Sequence, residues 1–440
     1  MKIFSQIIFI LLLVGEGYLI SRRVRRLAGN IQLGRSINLN NNPSARWKAM
    51  LLVAFGQKKM FSNPLVGIMH FIIYAGFILI NIEVLEILLD GITGSHRLFA
   101  PFLGSFYTFL IGFFELLAVG VIIACIIFLM RRNVLKIERF QKPELKGFPM
   151  LDANIILFTE IALMVAILCM NAADGVLQLR GNEHYVKAGT FFFSRNLIPL
   201  FESLPNGVLV FIERFCWWFH IVGIMGFALY VTYSKHLHIF MAFPNTYFSN
   251  LNPKGKFENM EVITKEVKLA MGLIQDDGQP AEITRFGAKD VNDLTWKNLM
   301  DAYSCTECGR CTASCPANIT GKKLSPRKIM MDTRDRADEV GRYIEQGKTK
   351  EEALAMGNSL YSERYISKEE VLACTTCNAC VEACPVNINP LDIIMQIRNY
   401  IAMEEAATPA QWNVMFQNIE NNASPWKFST ADRANWLQEV

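Results

Sequence analysis

Long apolar runs fill the chain as far as Tyr233 and almost vanish beyond it. Five of them, Ile3–Ile20, Leu65–Leu89, Leu103–Met130, Ile155–Met170 with its flanks, and Val208–Tyr233, are long enough to span a bilayer, which takes roughly 20 residues of helix. The polar remainder spaces its apolar residues at helical intervals and shows no strand alternation. NLMDAYSCTECGRC predicts a helix running into a cysteine cluster. LSPRKIMMDTRDRADEVGRYIEQG predicts an amphipathic helix with Pro326 at its start, and LDIIMQIRNYIAMEE another before a polar tail. The pattern predicts an all-α membrane bundle of five transmembrane helices over residues 1–244. A mainly α-helical, ferredoxin-like domain follows over residues 245–440.

The first run is not flanked as a signal peptide is. Its positive charge, RRVRR (Arg22, Arg23, Arg25, Arg26), follows the apolar stretch instead of preceding it, which predicts a retained helix. Lysine and arginine crowd the segments 21–63 and 131–150, while the opposite loops hold only Arg97 and then Arg180, Lys187 and Arg195. The basic loops are therefore expected in the cytoplasm, with the N-terminus outside and everything after Tyr233 inside. This places the chain in a bacterial cytoplasmic (inner) membrane, in contact with lipid. The net charge is only +4 and no basic stripe with interleaved aromatics is present, so no nucleic-acid partner is expected.

Six histidines are unevenly placed. His70 lies in the second span; His220 lies in the fifth, and His236 and His238 follow at its end. On a regular helix, eighteen residues make five turns, so His220 and His238 would share one face about 27 Å apart while His236 points elsewhere. Two histidines on one face at different depths suit two stacked b-type haems. By depth, His238 pairs with His70, and His220 with His96 at the start of the third span. His184 reads as solvated surface. Carboxylates Glu16, Glu83, Glu86, Glu115, Glu160 and Glu213 lie in or near the spans, where they face the bundle interior, a quinone pocket or the headgroups. Glu83 and Glu86 suit the headgroup reading best, and Glu213 beside Arg214 suggests an internal ion pair.

Of eleven cysteines, Cys125, Cys169 and Cys216 sit singly in apolar runs, as buried structural thiols do. The other eight form two boxes, CTECGRCTASCP and CTTCNACVEACP, each spaced C-x2-C-x2-C-x3-C-P. In such pairs the fourth cysteine of each run serves the other cluster. Cys305, Cys308, Cys311 and Cys384 are thus expected to hold one [4Fe–4S] cluster, and Cys374, Cys377, Cys380 and Cys315 a second. Zinc sites pair two cysteines with two more ligands at a distance, unlike these complete four-cysteine runs.

The boxes, the LSPRKI segment and the closing NNASPWKFSTADRANW resemble the iron–sulfur part of heterodisulfide-reductase-related proteins. The five-helix bundle with His70, His220 and His238 resembles the b-type cytochrome gamma subunit of respiratory nitrate reductase. That family carries a second histidine ten residues on in its second helix, where this chain has Ile80. Larger members, similar to electron-transfer-flavoprotein:menaquinone oxidoreductases, continue into cysteine-rich CCG domains, and this sequence stops at Val440. The resemblance implies a separate CCG-domain partner subunit, and electron-transferring flavoprotein as a further partner.

These readings combine into a membrane electron-transfer subunit, inactive alone. It is expected to join a cytoplasmic redox partner, two [4Fe–4S] clusters, one or two haem b and menaquinone as substrate, in the direction of quinone reduction. Quinol oxidation feeding a thiol–disulfide reductase is the alternative, as is a haem-free anchor that docks a redox complex. A transporter would need broken helices or repeats at the midplane, which the sequence does not show.

Overall fold

The computed structural model describes residues 2–257, 259–275 and 285–438. Among these residues the secondary structure is helical apart from two isolated bridges, Arg35–Thr295 and Tyr361–Ile366. Five of the described helices are long and apolar enough to cross a membrane. They are α1 (Lys2–Ile31), α2 (Pro64–Thr93), α3 (Ser105–Leu129), α4 (Phe148–Leu179) and α5 (Asn206–Val231). The start of α2 shows how sequence sets these ends. Asn63 accepts the Val66 N–H, and Pro64 occupies the first turn, where no N–H is missed. Phe9, Tyr107, Phe114, Leu168 and Ile221 fill the bundle core. Phe158 and Phe211 point outward, 60% and 69% exposed, an outer surface suited to lipid and costly in water.

Two helices depart from the expected lengths. The first continues eleven residues past Ile20, because RRVRRLAGNI contains no helix breaker before Gly29. Its end leaves the apolar layer and docks on the cysteine domain. There Arg26 bonds Glu345 at 2.7 Å, and Asn30 donates to Tyr303 Oη at 2.8 Å and Asp338 at 2.9 Å. Gly341 makes room for Asn30, whose Oδ1 would lie 2.0 Å from any Cβ placed there. The fifth span, by contrast, stops at Val231. Ser234 is extended (φ −106°, ψ 159°), its Oγ accepting the His236 N–H and donating to Asp152 of α4 at 2.7 Å. This local capping outcompetes continued helix, and α6 (His238–Tyr247) starts anew. The continuous face from His220 to His238 is therefore absent, and His236 packs 5.4 Å from His238, centroid to centroid.

The cysteine domain is built on α7 (Trp296–Tyr303), the one-turn α8 (Arg310–Ala313), α9 (Pro326–Glu345), α10 (Ala379–Ala383), α11 (Pro390–Met403) and α12 (Ala410–Asn422). Ser325 caps α9 ahead of Pro326, and a Thr295–Asn298 capping box starts α7. Leu299, Ile329, Val340, Ile393 and Ile397 form its core. The junction anticipated at 244/245 falls inside α6. Both basic loops lie against this domain. Arg46 donates to the carbonyls of Tyr247 and Ser249, both at 3.2 Å. Arg327 reaches back to Glu144 at 2.7 Å and the Arg139 carbonyl at 2.8 Å.

Candidate functional site

The two boxes fold alike. Glu307 and Gly309 in the first have φ of 54° and 71°, and Thr376 and Asn378 in the second have 57° and 61°. Each box then turns into a one-turn helix, α8 or α10. Alternating left- and right-handed residues turn backbone N–H groups towards a common centre, a concavity suited to anionic sulfur. Glycine takes this conformation freely and asparagine tolerates it. The Thr376 N–H points at Cys374 Sγ (3.4 Å), and the Ile388 N–H at Cys384 Sγ (3.3 Å).

Cys305, Cys308 and Cys311 line one cavity together with Cys384 of the other box, walled by Met330 and Arg327. Cys374 and Cys380 lie within electrostatic range of Cys377 and of Cys315 from the first box. Cys311 is also in range of Cys380, so the two quartets adjoin. Burial pushes the thiols of Cys305, Cys380 and Cys384 up to about 12. Such thiolates need a cationic centre to hold them. Among the described residues no three His, Cys, Asp or Glu side chains converge closely enough to hold a single metal ion. Sulfurs set apart around a cavity suit a polynuclear group, each iron taking one cysteine, and the residues present fit [4Fe–4S] clusters. Cys377 is exposed, so its quartet approaches the surface, while Lys59, from the loop before α2, reaches the carbonyl of Cys384 in the other quartet.

The histidines share a second feature. Nδ1 of His70 bonds Gln57 Oε1 at 3.0 Å, that of His238 the Lys235 carbonyl at 3.0 Å, and that of His220 the Leu163 carbonyl at 2.9 Å. Each partner is an oxygen acceptor, so Nδ1 carries the proton and Nε2 keeps its lone pair, the arrangement of a metal-ligating imidazole. His220 is fully buried and its Nε2 has no partner. Burial, reinforced by His238, pushes His236 down to about 3, and burial pushes His238 down as well, so both are neutral. His70, His236 and His238 gather at the end of the bundle that meets the cysteine domain. His70, His220 and His238 fit a haem ligand's requirements.

His96 does not fit. Its Nδ1 accepts the Val186 N–H at 3.2 Å and its Nε2 lies 3.3 Å from Asp174, leaving no ring nitrogen for an iron. His184, expected in solvent, is half-buried, its ring 5.8 Å from that of His96 and 5.2 Å from Tyr185. Glu83 and Glu86 are buried inside the bundle, not at headgroups. Glu213 does pair with Arg214.

Sequence reasoning missed the residues that join the two parts. Lys235 donates to Glu307 at 2.6 Å, and Arg334 bonds the other oxygen of Glu307 at 2.8 Å. Burial opposes the Glu307 charge, but these two cations hold its carboxyl below the usual range. Lys59, two residues after Gln57, reaches the Cys384 carbonyl at 3.3 Å, and Arg310 bonds the Lys59 carbonyl at 3.0 Å. The signals in the sequence were Glu307 beside Cys308, Arg310 beside Cys311 and Lys235 three residues before His238; nothing near a candidate ligand pointed to Lys59 or Arg334.

Residues 304–388 match the 4Fe-4S dicluster domain family. The chain is 27% identical, over 99% of its length, to 61% of the probable iron-sulfur-binding oxidoreductase FadF of Bacillus subtilis (strain 168). It is 29% identical, over 92% of its length, to 55% of the EtfAB:quinone oxidoreductase of Syntrophomonas wolfei. Over 34% of its length it is 26% identical to 36% of one subunit of the dihydromethanophenazine:CoB–CoM heterodisulfide reductase of Methanosarcina mazei. The chain thus spans about three-fifths or less of these relatives. No solved structure matches it. The resemblance read from the boxes holds: the chain is homologous to FadF-like iron–sulfur oxidoreductases, to an EtfAB:quinone oxidoreductase and to a heterodisulfide reductase subunit. It is an iron–sulfur electron-transfer protein with five candidate membrane helices.

Proposed function

We propose that this chain is a membrane subunit that carries electrons between a cytoplasmic redox partner and menaquinone, with quinone reduction as its working direction. Cys305, Cys308, Cys311 and Cys384 hold one [4Fe–4S] cluster, and Cys374, Cys377, Cys380 and Cys315 the second. His70 and His238 hold a b-type haem, and His220 offers a ligand to another whose partner is not His96. When bound, these groups supply one-electron storage sites between a one-electron donor and a two-electron, two-proton quinone.

One observation carries the reading. A single short segment fixes His70 through Gln57 and touches Cys384 through Lys59. Gln57 sets the proton on Nδ1 of His70, Lys59 places positive charge near Cys384, Lys235 holds the first box through Glu307, and the apolar bundle excludes water. The basic loops packed on the cysteine domain support a cytoplasmic side for the clusters. The exposed Cys377 supports a docking face for a CCG-domain subunit or electron-transferring flavoprotein. The match to a heterodisulfide reductase subunit favours, as a second reading, quinol oxidation feeding a thiol–disulfide reductase.

The test is chemical analysis of the purified full chain. One or two haem b with about eight non-haem irons per chain is expected. Intact clusters without haem would contradict it and leave the bundle as an anchor for a docked complex.

A further inference from the structure

At the end of the bundle away from the cysteine boxes, a cavity with about 20 Å³ of free space lies between α2, α4 and α5. That is room for one water and for little else. Five carboxyls border it, those of Glu83, Glu86, Asp90, Asp174 and Glu213, against the two guanidiniums of Arg97 and Arg214. Ser95 and His96, from the loop that follows α2, border it as well. Excess negative charge is costly to hold unpaired in an apolar interior, so the group as a whole holds protons.

The carboxyls differ in what fixes their charge. Glu86 accepts from Tyr107 Oη at 2.7 Å and the Phe99 N–H at 2.8 Å, and Asp90 from the N–H groups of Arg97 and Leu98 at 2.8 and 3.1 Å. On α3, Glu115 accepts from Asn171 at 3.0 Å and from the N–H groups of Phe193 and Ser194 at 2.8 and 3.0 Å. Arg97 holds one oxygen of Asp174 at 2.6 Å, and Arg214 and Tyr185 hold Glu213. Two buried oxygens remain bare. Glu83 is 4% exposed and its Oε1 has no hydrogen-bond partner. Asp174 Oδ1 accepts no hydrogen bond either, with His96 Nε2 standing 3.3 Å away. Both residues border the cavity, so a water there finds a carboxyl oxygen for each of its hydrogens.

A carboxyl held by several donors keeps its charge. Glu83 is the one in this group whose proton can come and go. Trp217, in the same wall, lies three residues, one helical turn, from His220 on α5. At an effective dielectric of about 20, a unit charge roughly 10 Å away changes a proton affinity by about tenfold. We propose that one water bridges Glu83 and Asp174, and that Glu83 takes up a proton when the redox group at His220 gains an electron. The proposal rests on the haem reading above. One electron arrives from the clusters. One proton arrives from the end of the bundle that carries His96 and passes through the water to Glu83, whose carboxylate becomes a carboxyl. Oxidation returns both. Glu83 acts here through charge alone, tying the redox equilibrium of the bundle to the pH at that end.

The experiment uses the purified full chain with its cofactors, in nanodiscs. The haem spectrum is titrated against redox potential at a series of pH values for wild type, Glu83→Gln and Glu83→Asp. Iron content and the oxidised spectrum serve as the folding check. In wild type the equilibrium constant for reducing one haem is expected to fall about threefold or more per pH unit across part of the range. Glu83→Gln is expected to lose that slope and Glu83→Asp to keep it. A slope absent from wild type, or unchanged in Glu83→Gln, overturns the proposal. Intact clusters in a chain without haem sink the haem reading and the proposal with it. Should Glu83→Gln fail to fold, infrared difference spectra of reduced minus oxidised wild type and Glu83→Asp decide. A protonated-carboxyl band that grows on reduction and moves between the two proteins supports the site. No such band, or one that does not move, overturns it.

Discussion

Lys235 Nζ lies 2.6 Å from Glu307 Oε2, so the residue before His236 grips the third residue of the first cysteine box. Both side chains are buried. The same lysine offers its carbonyl to His238. One residue therefore touches a haem-ligand candidate and a cluster loop at once.

Removing that grip should loosen the junction. Glu307→Gln leaves the buried Lys235 charge facing a neutral amide, a loss of about 1–3 kcal/mol. A lower melting temperature with full iron content is expected by calorimetry and iron assay. An unchanged melting temperature would mean that Lys235 finds compensation at Asp152, 3.9 Å away.

The histidines divide by how their nitrogens are used. His238→Ala and His70→Ala should each lose haem, and Gln57→Ala should weaken haem retention by about 10- to 100-fold through a freed His70 ring. His96→Ala should keep its haem and lose only about 1 kcal/mol of stability, because both its nitrogens serve the protein. A haem assay across the four variants checks this division.

Gly309 has φ 71°, and a Cβ there would lie 2.4 Å from the Arg327 guanidinium. Gly309→Ala should cost about 1–2 kcal/mol from the backbone alone. It should also push Arg327 off Glu144 and empty the adjoining cluster first. Iron content and the electron paramagnetic resonance spectrum of the reduced protein would show the loss. Asn378→Gly, at the equivalent position of the other box, should be tolerated.

Asp332 supplies a pH signature outside the membrane and away from the boxes. Burial outweighs its pairing with Lys328 and pushes its carboxyl from 3.8 up to about 7. Between those values the folded state holds a proton that the unfolded state has lost, so stability falls as pH rises through that window. Asp332→Asn removes this dependence. Its melting temperature should gain on wild type from pH 5 to pH 8, and a constant difference would contradict the shift.

Much of this could be read from the sequence, and the failures share a cause. The five spans were legible because lipid demands long apolar runs, and the boxes because four thiolates at fixed spacing serve little else. Arg97 was counted as a loop charge, yet it is buried against Asp174 and Asn171. The acids inside apolar helices were the clue that a cation had to reach them. The break after Val231 was invisible in α5 itself, since its trigger, Asp152, lies 82 residues earlier than Ser234 on another helix. Local pattern cannot report a bond made across the bundle.

The most direct measurement is anaerobic stopped-flow of the purified chain against a reduced naphthoquinol, following the haem absorbance, with freeze-quenched samples read for the cluster signals. The account predicts that quinol reduces a b-type haem and that electrons then equilibrate with the clusters, while Glu307→Gln slows the second phase alone. Clusters that exchange electrons with a soluble donor while the bundle shows no haem signal and no response to quinol would contradict it.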